Sequence, residues 1–207
     1  MTDLFPDRIE TERLTLVHES PDSTDVFERY EPMNTENASP DAFEHIPIEP
    51  FDHPQEAREF LASRNDRWAS GNAGTYVVRP KPGEDGAGEP AGEAELFALW
   101  DRRTAYFTFG LRKPFWGRGY SGERADAFVV LTFERLDLEM VSVSHTVANE
   151  QSKRAIGKYI DRWNGQRDAV LRNGHVIDGE PHDVVQYSIT REDYEASDVD
   201  PDVRFFG

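Results

Sequence analysis

RKPFWGRGYSG, residues 112–122, stands between a run that alternates like a strand and a run with the period of a helix. Upstream, TAYFTFGL (104–111) puts Ala105, Phe107, Phe109 and Leu111 on one face. Downstream, residues 121–136 turn Ala125, Phe128, Val129, Thr132 and Leu136 inward at helical spacing. Between them, Gly117-Arg118-Gly119-Tyr120-Ser121-Gly122 fits G-x-G-x-x-G. Such a loop exposes backbone N–H groups because no Cβ blocks approach. The helix that follows adds roughly half a positive charge at its N-terminus. Together they suit a pyrophosphate. Taken alone, the motif fits a dinucleotide fingerprint, a coenzyme A pyrophosphate loop or a tight turn without a ligand. The dinucleotide fingerprint belongs to a parallel βαβ unit with an acid about 20 residues on, ending the second strand. Here the loop follows a hairpin, 93–100 and 104–111, and Glu139 starts the next strand. The G-x-x-x-x-G-K-[ST] phosphate loop is absent. A ligand-free turn sits poorly with three glycines in six residues beside Arg112, Lys113 and Arg118 in so acidic a chain.

Working outward, RLTLV (13–17) alternates as a first strand, and a short helix is expected near 25–30. Residues 34–52 read as loop, with a helical turn at most. Residues 54–70 form a helix with Ala57, Phe60, Leu61, Arg64 and Trp68 on one face and Gly71 at its end. TYVV (75–78) is a strand, and PKPGEDGAGEP (80–90) a turn. After the glycine loop and its helix come a strand at 139–147 and a helix from Asn149 to about Trp163. Residues 165–182 are turn-rich, with one short strand at 169–171, and VVQYSIT (184–190) is the last clear strand. An acidic tail at about 195–207 is expected to be loose. This order predicts one domain over 1–207, an α/β sheet of mixed direction with helices on its faces.

The 207 residues carry 23 basic and 40 acidic side chains, a net charge of −17. Only four of the basic residues are lysine (Lys81, Lys113, Lys153, Lys158). The acids are spread along the chain, as suits a cytoplasmic protein of a salt-rich cell, where charge is screened within about 3 Å at molar ionic strength. So acidic a surface disfavours nucleic acid as a partner. No apolar run approaches about 18 residues, so no membrane span is expected, and the N-terminus has no secretory pattern. Without Cys there is no disulfide and no thiolate nucleophile. No His/Asp/Glu cluster has metal-ligand spacing; His175, His182 and Asp183 lie in the turn-rich stretch.

Four segments, in order, resemble the GNAT superfamily of acyl-CoA-dependent N-acetyltransferases: TERLTL (11–16), GEAEL (92–96), FWGRGYSGE (115–123) and NEQSKRAIGKY (149–159). The similarity is greatest to the branch that acetylates ribosomal-protein N-termini at alanine or serine. It implies a mixed, mostly antiparallel sheet of six to seven strands flanked by helices, and acetyl-CoA as co-substrate without a metal. Leu111 would contact the pantetheine arm through its backbone, where its strand splays from the next. Arg112, Trp116, Gly117, Arg118, Gly119, Tyr120, Ser121 and Gly122 would form the pyrophosphate side of the site. Asn149 and Ser152 would face the arm and the sulfur, with Ser152 protonating the leaving thiol. A homodimer through the sheet edge or the C-terminal region is compatible with the family. The acid often found early in the fourth strand is Tyr106 here.

The implied reaction is direct attack of a neutral amine on a thioester. Neutralising a lysine side chain at pH 7 costs about 4.6 kcal/mol, and an α-amine only about 1 kcal/mol. A protein N-terminal α-amine is therefore the expected acceptor, with a small amine as the alternative. A catalytically silent coenzyme A-binding module is a further alternative. Glu93 and Glu95, which share a strand face, are the candidate bases, and His145, on the strand at 139–147, is another candidate.

Overall fold

The computed structural model describes residues 3–37, 50–177 and 179–207. Its nine strands are β1 (Arg8–Glu10), β2 (Leu14–His18), β3 (Ala73–Pro80), β4 (Gly92–Leu99), β5 (Thr104–Leu111), β6 (Met140–Thr146), β7 (Gln166–Ile177), β8 (Glu180–Thr190) and β9 (Arg204–Phe206). They form one sheet in the order β7-β8-β6-β5-β4-β3-β2-β1-β9. Every adjacent pair is antiparallel except β5 and β6. The helices are α1 (Val26–Tyr30), α2 (Pro54–Ala69), α3 (Tyr120–Val130), α4 (Glu150–Arg162) and α5 (Arg191–Glu195), and α3 runs on through a wider π-type turn at Leu131–Arg135.

The sheet alternates as its pairing requires. Ala94, Leu96, Phe107 and Phe109 share one face, where α3 packs Phe128 against Phe107 at 5.2 Å between ring centroids. On α4, Ile156, Tyr159 and Ile160 are buried. The opposite face carries Glu93, Glu95, Thr108 and Gly110, and α2 reaches it with Arg64 and Arg67.

Two expectations need correction. The sheet has nine strands rather than six to seven. Within residues 165–182, expected to be turn-rich with one short strand at 169–171, Gln166–Ile177 forms the long strand β7, paired with β8 through shifts at Arg167/Ala169 and Leu171/His175. Its turn-forming Asn173, at φ 53°, and Gly174 are taken up in the second shift rather than ending the strand. The tail is not loose at its end: Arg204–Phe206 pairs with β1, and Val199, Val203 and Phe205 pack on the core. Alternate apolar residues hold it despite the acids between them. The expected loop at 34–52 lies outside the described residues over 38–49.

Candidate active site

The loop after β5 is built by side chains that hold it from behind. Trp116 donates its indole N–H to the Leu111 carbonyl at 2.7 Å. Arg112 bonds the Pro90 carbonyl at 2.8 Å, and Arg118 bonds those of Asp85 at 2.8 Å and Pro114 at 2.9 Å. The Tyr120 hydroxyl donates to Glu84 at 2.8 Å. Glu123, in the first turn of α3, accepts from Thr11 at 2.5 Å and from the Arg13 amide at 2.6 Å, which fixes the helix start to β2. Gly117 and Gly119 sit at φ 78° and 83°, in left-handed conformations that glycine adopts without a Cβ clash. Held so, the N–H groups of Gly117, Arg118, Gly119, Tyr120 and Ser121 have no acceptor among the described residues. Five successive donors at a helix N-terminus form an anion-binding concavity.

That concavity opens into a groove of about 650 Å³ between the end of β5 and α4, lined by Phe109, Leu111, Asn149, Ser152 and Tyr159 among others. The parallel pairing of β5 with β6 ends at Tyr106–Ser142, although β5 continues to Leu111 and β6 to Thr146. The two strands thus part as a V, and the far half of β5 leaves its edge open. Asn149 accepts the Ser152 N–H at 2.8 Å as the cap of α4, which places the Ser152 side chain on the groove wall.

Across the sheet lies a second cavity of about 390 Å³, whose walls include Glu19, Arg29, Val77 and Glu93. The two cavities share Gly110, Leu111 and Trp116, so the end of β5 is the partition between them. Gly92 lies against that partition: a Cβ there would collide with the Gly110 carbonyl and approach Leu111 Cα to 2.9 Å. Backbone cannot yield as a flexible side chain does, and overpacking of this kind costs roughly 1–3 kcal/mol. Gly92→Ala is therefore expected to lower the melting temperature by about 5 °C and to weaken coenzyme A binding in calorimetry. A variant that melts and binds as the wild type does would refute this.

Residues 13–159 match the family of the acetyltransferase (GNAT) domain. The chain belongs to the GNAT acetyltransferase family. It is an acetyl-CoA-dependent N-acetyltransferase. A curated relative, the N-acetyltransferase p20 of Bacillus licheniformis, itself uncharacterised, is 23% identical over 89% of this chain and 96% of its own length. Among solved structures, a GCN5-related N-acetyltransferase from Brucella melitensis superposes with a TM-score of 0.71 at 17% identity, over 91% of this chain and 80% of that one. A spermidine N-acetyltransferase from Vibrio cholerae, solved with CoA and spermine, gives 0.67 at 18% identity, over 88% and 98%. A Vibrio cholerae protein provisionally described as a ribosomal-protein-serine acetyltransferase gives 0.68 at 18%, over 90% and 99%.

Within this GNAT enzyme the carboxylates expected as bases are ion-paired. Glu93 bonds Arg64 at 2.5 Å and Arg29 at 3.1 Å. Burial alone would raise its pKa, but the two guanidinium groups outweigh burial and hold it down to about 2. Glu95 bonds Arg67 at 2.8 Å and accepts from Thr75 at 3.0 Å, and it lines neither cavity. His145 is buried, bonded to the Thr146 carbonyl at 2.8 Å and the Tyr187 hydroxyl at 3.2 Å, as a satisfied core residue is. Sequence reasoning missed buried Glu19 and half-buried Arg29, the other members of this ion-pair network. The signal was Arg64, an arginine on the apolar stripe of α2, which requires buried carboxylates to meet it. Also missed was Arg124, buried with its Nε and Nη1 unpartnered and packed over the Phe109 ring at 4.4 Å.

Proposed function

We propose that this enzyme acetylates the α-amine of a peptide or protein N-terminus. The carrying observation is the charge balance of the acceptor-side cavity. Glu19 is paired with Arg64 and Arg29, Glu93 with the same two arginines, and Glu28 with Arg79 at 2.8 Å. Among the described residues the cavity wall therefore offers no spare carboxylate for a second ammonium. A polyamine would bury an uncompensated charge, which costs several kcal/mol. An α-amine brings one charge, removed for about 1 kcal/mol at pH 7, and the rest of the wall, with Pro32, Met33, Val77 and Pro90, suits a neutral first residue. The spermidine and ribosomal-protein-serine proteins share this fold about equally, so the charge pattern rather than the fold separates the two acceptors.

In this reading the N–H groups of residues 117–121 grip the linked phosphates of acetyl-CoA. The open edge of β5 at Phe109 and Leu111 receives the amide-bearing arm and the thioester carbonyl, and amide donors there stabilise the oxyanion that develops on attack. Arg112, Trp116, Arg118 and Tyr120 shape the loop, Gly122 lets the helix start close to it, and Asn149 positions Ser152 to return a proton to the departing sulfur. Glu93 remains ionised within its pairs with Arg29 and Arg64, so it serves the cavity wall as a neutralised charge rather than as the base. Acetyl transfer is to be measured in molar KCl with peptides bearing neutral N-terminal residues and with spermidine. A kcat/KM at least ~10-fold higher for the best peptide is expected, equivalent to about 1.4 kcal/mol of discrimination. Preference for spermidine or for lysine side chains would overturn the assignment.

A further inference from the structure

The family resemblance would put Arg112 on the pyrophosphate side of the site, yet Arg112 lines the acceptor-side cavity and not the coenzyme groove. It is the residue after Leu111, so it leaves the partition where that cavity begins. Its Nη1 donates to the Pro90 carbonyl at 2.8 Å, and Pro90 is itself part of the cavity wall. That bond fixes the guanidinium on the acceptor side, with the Phe115 ring centroid 5.9 Å from Cζ. The carboxylates of the wall are already matched. Glu19 and Glu93 share Arg29 and Arg64, and Glu28 holds Arg79. Arg112 meets only a neutral carbonyl and a ring among the described residues. It is exposed where Glu19 is buried, so it stands at the mouth of the cavity, a cation without a counter-charge in a chain of net charge −17.

We propose that Arg112 reads an acidic side chain at the second or third residue of the acceptor, so that the preferred substrates are N-termini with a neutral first residue followed by Asp or Glu. This rests on the α-amine reading above. The amine must reach the partition at Gly110 and Leu111, on whose far side the coenzyme groove runs. An extended chain advances about 3.3–3.6 Å per residue. With the first residue against Pro32, Met33 and Val77, the next two pass out by the mouth, where Arg112 directly follows the partition. Pro90 engages one N–H of Nη1, which leaves the Nε and Nη2 donors for a carboxylate to accept in parallel. A lysine at the same place would set an ammonium against an unpaired guanidinium and be disfavoured. The surface as a whole repels an acidic peptide, so the preference comes from contact at Arg112 and not from long-range steering.

The test uses three peptides that begin with serine and differ only at the second and third residues, which are both Glu, both Gln or both Lys. Wild type, Arg112→Gln and Arg112→Glu are compared at saturating acetyl-CoA, at the lowest KCl concentration that keeps each folded, because salt screens exposed charges. For wild type, kcat/KM is expected to be at least ~5-fold higher with the Glu peptide than with the Lys peptide, carried by KM. Arg112→Gln should bring that ratio to within about twofold, and Arg112→Glu should reverse it. Using the ratio of peptides cancels any weakening of the glycine loop that the substitution brings. A role for Arg112 in holding Pro90 alone would slow all three peptides equally and leave the ratio unchanged, which overturns the proposal. Should both variants fail to fold, wild type with the three peptides decides: equal kcat/KM overturns the proposal while leaving the α-amine assignment in place. A wild type that acetylates spermidine and none of the peptides refutes that assignment itself, and the role of Arg112 falls with it.

Discussion

Replacing Gly117 and Gly119 together by valine is expected to lower coenzyme A affinity by at least ~100-fold, and acetyl transfer with it. Both residues have φ near +80°, where an L-residue pays roughly 1–2 kcal/mol and a β-branched one more. Nothing lies within 4 Å of a Cβ built on Gly117, and the nearest atom to one on Gly119 is Arg13 Nη2 at 3.4 Å. The penalty is therefore conformational rather than a clash in a core. The loop relieves it by rotating back toward negative φ, and that turns the unengaged N–H groups of residues 117–121 away from a common focus. Each hydrogen bond to a charged group contributes about 1.5–3 kcal/mol, so losing two accounts for two to four decades of affinity. Because the loop is on the surface, tied by Trp116, Arg118 and Tyr120 from behind, melting should fall by only a few degrees. Gly117→Ala alone should give an intermediate loss. Calorimetry in molar KCl decides the matter, and a double variant that binds coenzyme A within threefold of wild type would remove the loop from the site.

What the sequence discloses here depends on how local the determining interaction is. The loop, α3 and α4 are legible because glycine placement, helical period and the Asn149 cap are set within a dozen residues. The V between β5 and β6 is legible only through the family resemblance. Nothing in 104–111 or 139–147 says where parallel pairing stops, since that is fixed by how α3 and α4 seat on the sheet. β7 is hidden because Asn173 and Gly174 carry the signature of a turn while serving as an irregularity inside a strand. β9 is three residues long, below what alternation can reveal. The charge state of Glu93 is hidden for a different reason. Alternation correctly puts Glu93 and Glu95 on one face, yet whether such a carboxylate is a free base or one arm of an ion pair is decided by Arg29 and Arg64, supplied by two helices far away in the chain. Tyr106 is visible as a departure from the family pattern, but its contact with His175 depends on the very strand that the sequence disguises.

Arg64→Met should destabilise the fold by about 3–5 kcal/mol, the usual cost of removing one partner from a buried charge cluster. For a chain of this length that lowers the melting temperature by roughly 10 °C. Arg64 is 3% exposed and meets Glu19 and Glu93 directly, with Glu95 at 3.9 Å. Its loss leaves Glu19 and Glu93 with Arg29 as their remaining close partner, 3.8 Å from Glu19 and 3.1 Å from Glu93, while Glu95 keeps Arg67. Glu19→Gln in the same background removes the most deeply buried surplus charge and should recover part of the loss, whereas a simple packing defect would not respond. The pH dependence has a definite sign. Glu93 has its folded-state pKa depressed to about 2, so it contributes stability above its unfolded value of about 4.5 and loses it as pH falls toward 2. Without Arg64 that depression is smaller, so the gap between wild type and variant should be widest near neutrality and close as the pH drops below about 4. Molar salt, which screens exposed charges over a few ångströms, should leave the gap in place because the cluster is buried. Melting curves at pH 7 and pH 3, in dilute buffer and molar KCl, test all of this. A gap that vanishes in salt would mean that the cluster is solvated and that Glu93 is available as a base after all.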